Sequence, residues 1–133
     1  MAANTSPIFP VAPIVGIATL AAATAVTGRA NITGVTNLTV LTAASTNGTR
    51  VDAITVKCNV TSVASILCVW IYNGTTSYLF DEIDIVATTV STTVDGPVVT
   101  RTYSTLTLPP TYQLYISETV QTNLTVFAFG GVY

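Results

Sequence analysis

Seven consecutive apolar residues, Ile66-Leu67-Cys68-Val69-Trp70-Ile71-Tyr72, constrain this chain more than any other feature. The run reads as a strand, and it stops at Asn73-Gly74, two residues that tolerate positive φ and so mark a turn. Continuous hydrophobicity means a strand buried on both faces. One face can meet a core. The other must meet a further layer, an N-terminal arm or another subunit.

The neighbouring segments alternate instead. In Arg50–Cys58 the side chains of Ile54, Val56 and Cys58 share one face, while Asp52, Thr55 and Lys57 lend polar character elsewhere. In Ser77–Ile85 the pattern points Ile83 and Ile85 inward and Glu82 and Asp84 outward. Further strands are expected near Ile14–Leu20, Leu38–Thr42, Val98–Leu108, Tyr112–Ser117 and Asn123–Phe129. Asn-Gly, Asp-Gly and Pro punctuate them, and no segment sustains a helical period. The Ala-rich stretch Ala21–Ala25 is the one place suited to a short helix. Together these segments predict an all-β fold, an antiparallel β-sandwich or jelly roll, formed by a single domain over residues 14–133. Residues 1–13 stand apart. Pro7, Pro10 and Pro13 recur at every third position and favour an extended N-terminal arm without ladder hydrogen bonds. Ile8, Phe9 and Val11 on that arm gain by packing against something.

Composition narrows the chemistry. The chain has no His, four Lys and Arg together, and six acidic residues. Only 8% of it is charged, where about a quarter is usual. Thr, Asn and Ser take the place of the missing charges, and Thr is β-branched and suits a pleated surface. A net charge of −2 does not provide the basic footprint that nucleic acid requires, and it argues equally against an anionic membrane surface. Val11–Thr27 is apolar, but no Lys or Arg precedes it and prolines interrupt it, so it reads as neither a signal peptide nor a span. A weakly charged chain with much apolar surface favours burial in a larger assembly.

Few residues could carry chemistry. No nucleophile has a His to serve as its base, and no phosphate-binding or dinucleotide motif occurs. Cys58 and Cys68 lack the further ligands of a structural zinc site and read as buried free thiols. A tight hairpin centred near Val63 would place Cys58 opposite Cys68, Val56 opposite Trp70 and Ile54 opposite Tyr72. Asp81, Glu82 and Asp84 form the one acidic cluster and read as a solvated strand edge. Arg50 and Arg101 are expected to pair with Asp52, Asp81 or Glu82. Asn-X-Ser/Thr triplets begin at Asn4, Asn31, Asn37, Asn47, Asn59, Asn73 and Asn123, as expected by chance in a chain this rich in Asn and Thr. These considerations predict a protein that is not an enzyme and uses no cofactor or metal. The residues expected to form contacts between subunits are Ile8, Phe9 and Val11 of the arm, Leu67, Val69 and Ile71 of the apolar run, and Phe129 and Tyr133 of the apolar tail.

Several segments carry a resemblance: Pro7-Ile8-Phe9, Gly48-Thr49-Arg50-Val51-Asp52, Trp70-Ile71-Tyr72-Asn73-Gly74, Leu79-Phe80-Asp81-Glu82-Ile83, Leu108-Pro109-Pro110 and Phe129-Gly130-Gly131. In these the chain resembles small virion-associated proteins of tailed bacteriophages. The resemblance implies a capsid decoration (cement) protein, assembled in the host cytoplasm onto the outer capsid surface. It implies the major capsid protein as partner and a homo-oligomer, with a trimer favoured. A tail or tail-fibre component that presents Tyr72, Tyr78, Tyr103, Tyr112 and Tyr115 to a receptor or glycan is the alternative. A secreted pilin-like or surface-layer subunit is a further one.

Overall fold

The computed structural model describes residues 12–20, 28–120 and 123–133. All described regular structure is strand, and every strand pair is antiparallel. The elements are β1 (Ala12–Leu20), β2 (Ile32–Thr33), β3 (Thr39–Val40), β4 (Thr49–Cys58), β5 (Ser65–Tyr72), β6 (Thr76–Ile85), β7 (Val98–Thr102), β8 (Thr107–Leu108), β9 (Gln113–Glu118) and β10 (Leu124–Val132). They form a β-sandwich of two five-stranded sheets. The first has the order β1-β10-β4-β7, with β8 also paired to β4, and the second has the order β2-β6-β5-β9-β3.

Each expected strand is present, with shifted ends. β1 begins at Ala12, so Ala12 and Pro13 pair with Val132 and Gly131 and belong to the sheet instead of an arm. Pro13 is tolerated because β1 is an edge strand, where a missing N–H breaks no central ladder. The segment expected as one strand over Val98–Leu108 is two, β7 and β8, separated by residues 103–106. The stretch Ala21–Ala25 lies outside the described residues.

The hairpin expected between β4 and β5 does not form. β4 lies between β10 and β7 in the first sheet, whereas β5 lies between β6 and β9 in the second. The chain from Asn59 to Ala64 is therefore an arch from one sheet to the other. Cys58, Val56 and Ile54 do not face Cys68, Trp70 and Tyr72 as strand partners. Val56 instead pairs with Val126 and Val99. The expected β5–β6 turn does form. Gly74 takes the positive φ of 98°, and the Asn73 carboxamide oxygen accepts from the backbone N–H groups of Thr75 at 3.0 Å and Thr76 at 2.9 Å.

The core lies between the sheets. Val51, Ile54, Val56, Leu124, Val126 and Ala128 face it from the first, and Leu67, Val69, Ile83, Ile85, Leu114 and Ile116 from the second. In β4 the inward positions change from odd (Thr49, Val51) to even (Ile54, Val56, Cys58). The change coincides with a bulge, since Ala53 pairs with Phe129 but Val51 pairs with Gly130. An extra residue in one strand reverses the side-chain alternation.

The apolar run is buried on both faces within one chain. Leu67 and Val69 point into the core, yet Cys68 and Trp70 on the opposite face are equally enclosed, with no exposure. The Trp70 indole N–H donates to Ser117 Oγ at 2.9 Å, so its one polar group is satisfied where it is buried.

Candidate functional site

The acidic cluster performs an architectural task. Asp81, on β6 at the rim of the second sheet, accepts a hydrogen bond from the Tyr103 hydroxyl at 2.8 Å and lies 3.4 Å from Arg101 Nε of β7. Arg101 also donates to the Glu82 carbonyl at 3.0 Å, and Arg29 pairs with the Glu82 carboxylate. The group joins the rims of the two sheets. Burial, and then the hydrogen bond to Asp81, push the Tyr103 phenol well above its ordinary pKa. Arg50 pairs with Asp52 at 2.7 Å, as its sequence context suggested. Among the described residues no group of three or more Cys, Asp and Glu stands together as metal ligands would.

Both cysteines are free and fully buried. Burial, with the Glu82 carboxylate nearby, raises the Cys68 thiol above its usual pKa and suppresses the thiolate. Cys58 Sγ donates to the Val60 carbonyl at 3.1 Å, where the chain leaves β4.

The expected contact residues separate into four groups. Ile8, Phe9 and Val11 lie outside the described residues. Leu67 and Val69 belong to the sandwich core and have no exposed surface, which corrects their assignment to a subunit contact. A doubly apolar strand needs two covering layers, and here the chain itself provides both. Ile71 is half-buried against the core. Tyr133 is half-buried, and its N–H donates to the Gly48 carbonyl at 3.2 Å. Of the described residues expected to form contacts, Phe129 is the one exposed large hydrophobic.

Phe129 belongs to a continuous surface, the outer face of the first sheet. The pairing places Val15 beside Phe129 and Ile17 beside Phe127, and on the other side Ala53 beside Phe129 and Thr55 beside Phe127. Thr100 and Thr102 follow on β7, with Val98 at the end. Ile17 is 63% exposed, Val98 56%, Val15 55% and Phe129 41%. The Phe127 and Phe129 rings stack at 6.3 Å with an interplanar angle of 14°, and they make a ridge along β10. The ionic groups bordering this face are already engaged. Lys57 Nζ donates to the Gly96 carbonyl at 2.9 Å, and Arg50 holds Asp52. Chemically the surface offers apolar burial and little else.

Val15, Ile17 and Val98 were not singled out from the sequence. Apolar residues at alternate strand positions signal a buried face, and only the layer arrangement shows that, among the described residues, nothing covers this one. An apolar pocket of about 340 Å³ opens beside it, between Ile14 and Val132 on one side and Leu41 and Ala44 on the other.

No family model matches the chain, and neither a curated protein nor a solved structure is similar to it. Among the described residues no helix is long and apolar enough to cross a membrane.

Proposed function

We propose that this chain is a structural virion protein, a capsid decoration protein that binds the outer shell and bridges neighbouring capsid subunits. The observation that carries the assembly reading is the exposed, uncharged face built on Val15, Ile17, Phe127 and Phe129. Surfaces of this kind on soluble domains mark interaction sites. The placing of that assembly on a phage shell rests on the resemblance of the turn and strand segments. The action would be mechanical: apolar burial by the arm residues Ile8, Phe9 and Val11 against the major capsid protein raises the free energy needed to separate shell subunits.

A second reading has its own support. Tyr72 and Tyr115 meet edge to face at 5.5 Å on the outer side of the second sheet, an aromatic platform suited to a sugar ring on a tail component.

Cryo-electron microscopy of purified particles tests both. Density on the shell, in numbers comparable with the major capsid protein, is the expected result. A few copies confined to the tail would favour the second reading. Absence from particles would overturn both and return a surface-layer or pilin-like subunit to first place.

A further inference from the structure

The geometry points to a second copy of this chain as the occupant of the exposed sheet face, stacked with its strands parallel to those of the first about a twofold axis running between β10 and β4. The inference rests on the assembly reading but not on a virion location.

Self-complementarity follows from the strand register. Phe127 and Phe129 form a ridge on β10, and level with them on β4 stand the smaller Thr55 and Ala53. A twofold axis in the interface, parallel to the strands and midway between β10 and β4, exchanges the positions of these two strands and preserves height along them. Phe127 of each copy then lies over Thr55 of the other, and Phe129 over Ala53. Ridge meets hollow twice. Farther out, Ile17 and Val15 reach the level of Thr100 and Thr102 on the partner. An axis across the strands would instead set ridge on ridge and hold the sheets apart. The symmetric arrangement is isologous, so it closes at two copies.

The polar groups inside the patch add little desolvation cost. Thr55 and Thr100 hydroxyls hydrogen-bond to each other at 2.9 Å, which satisfies one of their two hydroxyl protons within the chain and leaves the other for a neighbouring acceptor or water. The Arg50–Asp52 pair cancels its own charge at the border, and Lys57, held by the Gly96 carbonyl, is the one cation beside it among the described residues, too little to select a strongly charged protein. The area is near the lower limit for a specific dimer. Strands of nine residues in β1 and β10, four strands wide, give a face of roughly 500 Å² per copy at usual strand spacings. Two copies would bury about 1,000 Å², where specific interfaces begin. The dimer is therefore weak, with a dissociation constant of about 1–100 μM.

Sedimentation velocity on the full chain across that concentration range, without particles present, tests the inference. A monomer–dimer equilibrium is expected, weakened at least about tenfold by Ile17→Lys and by Thr55→Lys while circular dichroism and melting stay those of the parent. Disulfide trapping checks the register: a mixture of Phe127→Cys and Thr55→Cys chains should cross-link preferentially to each other, the native thiols being buried. A chain that stays monomeric at about 100 μM overturns the inference. So does a dimer indifferent to both lysines, which would implicate the free edge of β1 or the arm. Preferential cross-linking of Phe127→Cys to itself overturns the proposed axis. None of these outcomes depends on where the protein resides in a particle.

Discussion

Trp70 and Tyr103 show how a chain with few charges uses polar groups on large aromatic side chains. Each is anchored through one atom. Removal of the Trp70 acceptor by Ser117→Ala leaves an indole N–H buried without its partner and should cost about 1–3 kcal/mol in denaturant unfolding. Ser117→Thr, which keeps an acceptor, should cost less unless its added methyl group cannot be packed. Tyr103 brings pH dependence. Its folded pKa is raised above the ordinary phenol value of 10.0, so the folded state holds the proton more tightly than the unfolded state does. The corresponding stabilisation is complete below pH 10.0 and is lost as pH rises from there towards the folded pKa. Tyr103→Phe should lose about 1 kcal/mol at neutral pH, through the missing hydrogen bond to Asp81. Above the ordinary phenol pKa the parent should lose stability more steeply than the variant, and urea titrations at graded pH would reveal it. Equal slopes would show that the phenol carries no such linkage.

At the scale of the element, β4 and β10 set the geometry of the exposed face. Their bulge lets Val51 and Ile54 both reach the core although they are an odd number of residues apart. Gly130 sits at that register shift, and a Cβ there would fall 1.9 Å from the Arg50 carbonyl oxygen. Gly130→Ala must therefore push the two strands apart, with an expected cost of about 2–3 kcal/mol in thermal or denaturant unfolding. Unchanged stability would mean that the bulge is free to relax. β5 makes the complementary point. Its uninterrupted apolar run correctly announces two buried faces, but the layer over Cys68 and Trp70 comes from the same chain and not from a neighbour. Leu67 and Val69 are therefore fold residues, whereas the face left open belongs to β1 and β10.

For the whole molecule, the pairing of β1 with β10 joins the two ends of the described chain in one sheet. Sheet one cannot be completed until β10 is present, and folding is expected to be slow for its size, as it is for sandwiches dominated by non-local pairs. The lack of His removes the side chain that ordinarily titrates between pH 5 and 8, and the raised Cys68 pKa keeps that thiol out of the range. The melting temperature should accordingly change by less than about 2 °C between pH 6 and 8, measured by differential scanning calorimetry. Much of this architecture was legible beforehand. The strand pattern located eight segments, missing β2 and merging β7 with β8, and it set Ile54, Val56 and Cys58 on one face of β4 and Ile83 and Ile85 on the inner face of β6, because alternation is a property of each strand alone. The scarcity of charge and the apolar run determined that the fold would be layered and would bury its cysteines. Strand partners were not legible. Backbone hydrogen bonding is the same for any strand pair, so residues 59–64 suit a hairpin and an arch alike, and Cys58 was matched to Cys68 when they lie in different sheets. Likewise Val15, Ile17 and Phe129 have the pattern of residues due to be covered. Only the tertiary structure decides that no described residue covers them, because exposure depends on what the rest of the chain packs against them.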